Sequence, residues 1–333
     1  MTNKKENGCC EKFKTAIGGQ ALIEGIMMRG PEKDAIVIRN KEGIHIETTD
    51  RKIPKKKSPL NWPFVRGVRN FFDAQVTGVK ALMRSADLSP EESQEAPSKF
   101  DRWLEKKLGN KAFQNVIIGI AVFMGLGMSI LLFFLLPMII GSFLDTWIES
   151  TLLLNLAEGV VRIIIFVCYI LLVSRMAEMK RVFAYHGAEH KTIRCYEAGL
   201  LLTVENVQQQ TRLHPRCGTS FLLVVMILSI LVFSVASTLL LAAVPALAVM
   251  KGSMAYRLIM IGYKLLLLPI VVSVSYEINR LVGRYDNRLT RILTAPGMWF
   301  QKFTTNEPDD DMIQVGIASL QAVLPAEEGA DRW

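Results

Sequence analysis

The sequence predicts an α-helical multi-pass membrane protein with four transmembrane helices, a cytoplasmic N-terminal segment carrying a small β-hairpin, and a cytoplasmic C-terminal helix. Three observations lead there. Half of the 333 residues are hydrophobic, the mean hydropathy is positive at +0.28, and the apolar residues gather into long runs instead of recurring with a period. A run of about 20 apolar residues is what a helix needs to cross the hydrocarbon core of a bilayer. Backbone exposed to lipid has to satisfy its own hydrogen bonds, and unbroken runs of this length do so as helices.

Four such runs occupy residues 115–140, 159–174, 220–244 and 258–276. The second is short and contains Arg162, so its start is expected nearer Leu152; the fourth contains Lys264 and Pro269. Lys and Arg crowd the region before the first run, the link between the second and third, and the region after the fourth. They are sparse or missing in the other two links. Basic residues stay on the cytoplasmic side, which puts both termini and the 175–219 loop there. The formal net charge of +8 follows from this asymmetry, so membrane lipid is the expected neighbour and no nucleic-acid partner is expected. Five cysteines, an odd number without compact spacing, argue against a disulfide framework. Cys9–Cys10 reads as a reduced, disordered tail.

Residues 1–58 form a cytoplasmic region in which 35–47 alternates on both sides of Asn40–Gly43, the pattern of a β-hairpin. Ahead of it, "GGQALIEGIMMRGP" at 18–31 is rich in glycine and bounded by proline. It reads as irregular at both ends, either a tight turn or a loop that closes over a site. Residues 59–113 combine an interfacial amphipathic segment with the polar linker 88–99. In that segment Trp62, Phe64, Phe71 and Phe72 mix with Arg66, Arg69, Lys80 and Arg84. Residues 114–284 hold the spans and the 175–219 loop. In 285–333, Asp309–Asp311 suit a helix N-terminus, and Ile313, Ile317, Leu320 and Leu324 fall on one face. A helix over 309–324 is therefore expected to dock.

The stretch that could carry chemistry is "VFAYHGAEHKTIRCYEAG", 182–199. From Arg175 to Ala198 there is no proline, and Gly199 is a natural stop, so the second span is expected to continue as one long helix. His186 and His190 then share a face one turn apart. Two imidazoles at that spacing suit one zinc ion, with Glu189 beside them as general base, and H-x-x-E-H is the inverted order of a zinc-peptidase motif. Two histidines on a solvated helix are the plainer alternative. Three of the chain's four histidines lie in this one loop, which favours the metal.

A catalytic zinc normally has three protein ligands and one open position. Glu277, at the cytoplasmic end of the fourth span, is the leading third ligand, because an ionisable group there calls for a partner. Arg280, or an arginine elsewhere in the chain, is its ordinary partner. Glu197, His214 and Cys217 stand in reserve. Glu197 could instead orient an imidazole, and a closed set of His186, His190, His214 and Cys217 would be a structural site.

These segments, with "LTVENV", "HPRCGTSF" and "TTNEPDDDMIQVGIASLQAVL", resemble the YqhQ-like family of bacterial membrane proteins over about Ile17–Leu324. That family is of unknown function and is generally labelled a predicted metal-dependent enzyme. The resemblance implies a bacterial plasma membrane and this architecture, and supplies no substrate. The expectation is a zinc-dependent, peptidase-like membrane hydrolase with its site at the cytoplasmic membrane face, acting on a membrane-protein substrate. The rival is a non-enzymatic membrane scaffold or membrane-protein assembly factor, with a structural metal site or none. A transporter fits less well, since four spans without a repeat are few.

Overall fold

The computed structural model describes residues 13–51, 58–89, 119–120, 123–144, 146–148, 150–250, 252–285, 287–327 and 329–332. The Cys9–Cys10 tail, residues 90–99 of the polar linker and the opening of the first predicted span (115–118) lie outside the described residues. The chain divides into two compact units, one of residues 1–89, 170–229 and 258–333 and one of residues 90–169 and 230–257.

The first unit contains a four-stranded antiparallel sheet in the order β1-β2-β3-β4: Gly18–Leu22, Gly25–Arg29, Lys33–Asn40 and Gly43–Asp50. The predicted 35–47 hairpin lies within β3 and β4. Its turn at Lys41–Glu42 is closed by Asn40 Oδ1, which accepts the Glu42 N–H at 3.0 Å, and by Gly43 at φ 125. The 18–31 segment corrects the expectation of an irregular stretch, because it forms β1 and β2. The two-residue turn between them, Ile23–Glu24, puts Glu24 in the left-handed region at φ 51. A non-glycine residue there is strained. Arg181 offsets the strain by holding the Glu24 carboxylate at 2.6 and 2.5 Å, with the Tyr185 hydroxyl at 3.2 Å.

Nine helices are labelled α1–α9 among the described residues. Helix α1 is Val65–Leu88, α2 is Phe123–Gly141, α3 is Thr151–Val173 and α4 is Ala177–Glu197. They are followed by α5, Val204–Gln208; α6, Gly218–Ala243; α7, Met254–Arg284; α8, Arg288–Thr304; and α9, Asp310–Val323. Among the described residues, α2, α3, α6 and α7 are long and apolar enough to cross a membrane. The predicted continuous helix from the second span into the loop is not what forms. Between α3 and α4 the chain turns, with Ser174 Oγ donating to Leu171 O at 2.9 Å and Met176 extended at ψ 142. No proline or glycine marks this break; a backbone-seeking serine makes it.

One face of the sheet carries Ile26, Met28, Ala35 and Val37 against Tyr185 and Ala188 of α4 and Ile313 and Leu320 of α9. The opposite face packs Leu22 and Met27 on Ala81 of α1. Helix α9 forms within the predicted range. Asp309 caps it by accepting the Met312 N–H at 2.8 Å, and Ile313 and Leu320 are fully buried.

The amphipathic segment is α1. Phe72, Val76, Val79 and Met83, at helical spacing, are exposed along one side. Its other side is fastened to α7: Asn70 Nδ2 donates to the Tyr276 hydroxyl at 2.8 Å, Ser273 Oγ donates to Phe64 O at 2.6 Å, and Arg66 makes a two-pronged bond to Glu277 at 2.8 and 2.5 Å. The Arg66–Glu277 pair is neither fully exposed nor fully buried, so Arg66→Ala is expected to cost about 1–2 kcal/mol, between the values of exposed and buried pairs. Thermal unfolding of the detergent-solubilised protein measures it, and a loss no larger than that of a surface arginine would show the clamp to be idle.

In the second unit, α2 contains a π-helical turn at Leu131–Leu135. Such a turn displaces carbonyls from the normal ladder, and Arg162 Nε donates to Phe133 O at 3.1 Å. The charged residue of the second span thus has a structural partner.

Candidate metal centre

All the groups described in this subsection belong to the first unit. His186 and His190 project from one face of α4, as their spacing requires, with ring centroids 4.3 Å apart. Cys217 meets them from the turn that precedes α6. The ligand atoms of His186, His190 and Cys217 all lie within 4.8 Å of one another, and all three residues are buried.

The orientation of the two imidazoles is fixed from outside. His186 Nδ1 lies 2.8 Å from Thr304 O, and His190 Nδ1 lies 2.6 Å from Arg212 O. A carbonyl oxygen only accepts, so each Nδ1 carries the proton and each Nε2 is left to face the cluster. His186 Nε2 is 3.1 Å from Cys217 Sγ. His190 Nε2 is buried with no hydrogen-bond partner, as is Glu189 Oε2. Buried polar atoms without partners are rare and ask for an explanation. Imidazoles that donate one nitrogen to a carbonyl and aim the other at a common point are arranged as metal ligands are.

Electrostatics agree. Burial alone would raise the Cys217 thiol, but His186 and His190 outweigh it and bring the group well below its ordinary value. The start of α6 adds to this: the Thr219 N–H points at Cys217 Sγ at 3.4 Å, and a helix N-terminus favours an anion. Burial works against charge on His186 too, yet the Cys217 sulfur and Glu189 raise it to about 9. The charged form of each thus favours that of the other across the 3.1 Å contact, and a divalent cation held there would displace a proton. Burial raises Glu189, with the two histidines opposing.

The other predicted ligands are placed differently. Glu277, the leading third ligand from sequence, is not brought to the histidine pair. Arg66 occupies both its oxygens, because α1 crosses α7 at that level and supplies the countercharge. His214 stands beside the cluster, its ring 5.6 Å from that of His190, but its Nε2 faces Glu197 at 3.4 Å and Arg216 at 3.3 Å. Burial, with His190 adding to it, pushes His214 down to about 4 despite Glu197, so this imidazole stays neutral. Glu197 is tied to Arg216 and accepts the Thr15 N–H at 2.8 Å. Thr15 Oγ1 in turn donates to Asp331 Oδ2 at 2.6 Å, and the Ala16 N–H donates to Asp331 O at 2.6 Å.

Three functional positions carried no sequence signal. Thr304, at the end of α8, orients His186 through its carbonyl. Gln301 clamps the His214 backbone, accepting its N–H at 2.8 Å and donating to its carbonyl at 2.6 Å. Gly19, on β1, lies against Glu189: a Cβ there would fall 3.0 Å from Glu189 Cδ and 2.5 Å from Met27 O.

Two cavities open on the centre. One, of about 290 Å³, is lined by Glu189, His190 and Cys217 and by Arg29, Arg51 and Arg216. The other, of about 530 Å³, is lined by His186 and Cys217 with a largely hydrocarbon wall that includes Phe71, Phe183, Phe221 and Leu222.

The family model described as "Protein of unknown function (DUF1385)" matches residues 62–326. The chain is 33% identical over 330 residues to "Uncharacterized protein YqhQ" of Bacillus subtilis (strain 168), covering 95% of this chain and 94% of that protein. No solved structure matches the chain.

Proposed function

The chain belongs to the DUF1385 family, and from its site we propose a zinc-dependent membrane hydrolase, peptidase-like, with His186, His190 and Cys217 as the metal ligands and Glu189 as the general base. One observation carries the reading. Two imidazoles have their Nδ1 protons committed to Thr304 O and Arg212 O, and their Nε2 atoms converge with Cys217 Sγ. Three protein ligands leave the open position of a catalytic site. A zinc ion held there supplies Lewis acidity, which none of these side chains provides. Glu189, with an oxygen lacking any partner and a proton affinity raised by burial, takes the proton from an attacking water and passes it to the leaving nitrogen. Hydrolysis adds the water's hydroxyl to the carbonyl carbon and its proton to nitrogen. Arg216 and His214 hold Glu197 on the far side of the cluster and stiffen it. The excess of Lys and Arg at one set of span ends supports a plasma-membrane protein with the centre and both termini cytoplasmic. A membrane-protein substrate reached through the lipid interface follows from that placement.

The 3.1 Å thiolate–imidazolium contact of Cys217 and His186 favours a second reading, a metal-free cysteine hydrolase. Elemental analysis of gently purified protein separates the two. About one zinc per chain, kept in Glu189→Gln while turnover of membrane-protein substrates is lost, supports the metal reading. Zinc-free protein whose activity is abolished by thiol alkylation favours the second. Undiminished function of Glu189→Gln in cells would return the protein to the scaffold class.

A further inference from the structure

We propose that the exposed edge of β1 is the substrate-docking strand: an extended polypeptide segment pairs with Gly18–Leu22 and is thereby led across the metal centre. This rests on the hydrolase reading only for what happens to the segment once bound. The sheet order leaves β1 with one neighbour, β2, so its other edge is open for strand addition. The orientation of that edge follows from the two-residue turn: Leu22 and Gly25 are the pair that closes the hairpin, so alternation turns the backbone groups of Gly19 away from β2. Alternation along a strand turns the backbone groups of Ala21 the same way.

The cavities follow this edge. Ala16, Ile17, Gly18 and Gly19 line the 290 Å³ cavity, and Gly19, Gln20 and Ala21 line the 530 Å³ cavity. The two therefore lie end to end along one strand and share Gly19, Asn70, Arg216, Cys217 and Gly218. Six residues of strand cover about 20 Å, enough for a peptide with a few residues on either side of the centre. Small residues keep the edge clear, and this accounts for the "GGQA" part of the motif. The unlike walls give the segment a polarity. Phe71, Phe183, Phe221 and Leu222 on one side suit apolar side chains, and the other side, where Arg29 pairs with Asp34 and Asp73 and Arg51 with Asp34, suits polar ones. The fitting substrate is an extended chain that changes from apolar to polar across the scissile bond, as at the rim of a membrane span.

The test uses full-length Glu189→Gln protein in detergent, loaded with zinc, and a fluorescein-labelled ten-residue peptide with Leu and Ala in one half and Ser and Asn in the other. Anisotropy reads binding. Methylating alternate backbone nitrogens of the peptide removes strand pairing without changing its side chains, and is expected to weaken binding at least about 10-fold. Ala21→Pro, which removes an outward N–H on an edge strand where proline is tolerated, is expected to do the same. Equal binding of the methylated peptide overturns the proposal. So does displacement of the peptide by dihexanoyl phosphatidylglycerol with no effect of methylation, which would make the slot a lipid site. Methylation-sensitive binding by protein that holds no zinc upholds the docking strand and removes the hydrolase reading. Zinc-loaded protein that binds no peptide does the reverse.

Discussion

Replacing His190 by Ala is expected to lower zinc affinity by roughly 100-fold or more, beyond the 10–100-fold typical of residues that only support a ligand. Its Nε2 is a buried nitrogen with nothing else to bind. Cys217→Ser is expected to fall as far, because a serine hydroxyl keeps its proton where the thiolate does not. Glu277→Gln serves as the discriminating control. Sequence alone favours it as a ligand, yet its carboxylate belongs to Arg66, so its zinc affinity is expected to stay within about twofold of the parent while stability falls. Competition against a zinc chelator measures all three. A Glu277→Gln protein that loses zinc as His190→Ala does, with Cys217→Ser unaffected, would mean that the ligand set assigned here is wrong.

The second large effect is expected at Gly187, one residue past His186. A Cβ there would fall on the carbonyl oxygen of Asn306, in the extended segment that links α8 to α9. That segment is pinned at this point by the Asn306 N–H donating to Phe183 O at 2.8 Å. Gly187→Ala pushes it outward and takes with it Thr304, whose carbonyl orients His186. Overpacking of this kind costs about 1–3 kcal/mol, and loss of the orienting carbonyl costs about 10–100-fold in metal affinity. Both should appear together, as a lower unfolding temperature and weaker zinc binding. Gly218→Ala is the matched control, since a Cβ there meets nothing within 4 Å. A Gly187→Ala protein as stable as Gly218→Ala and unchanged in zinc binding would refute the coupling.

The spans were legible because bilayer thickness imposes a length on apolar runs. The His186–His190 pair was legible because helical periodicity places residues four apart on one face. Cys217 as the third member was harder to find. It lies 31 residues from His186 across a turn whose path is set by Gln301 and Arg212, and no local periodicity reports that. Glu277 misled because an ionisable group at a span end does need a partner; the partner, Arg66, lies 211 residues away. The β1–β2 hairpin escaped because its turn lacks the Asn-Gly type of signal. Glu24 takes the left-handed conformation on the strength of a tertiary bond to Arg181, and single-sequence patterns do not contain tertiary bonds.

The tie from Thr15 to Asp331 joins residues 316 positions apart, and through Thr15 it steadies Glu197 and Arg216. Contacts of such sequence separation form late in folding. The carboxylate that faces His214 is therefore fixed only once the two ends of the chain have met.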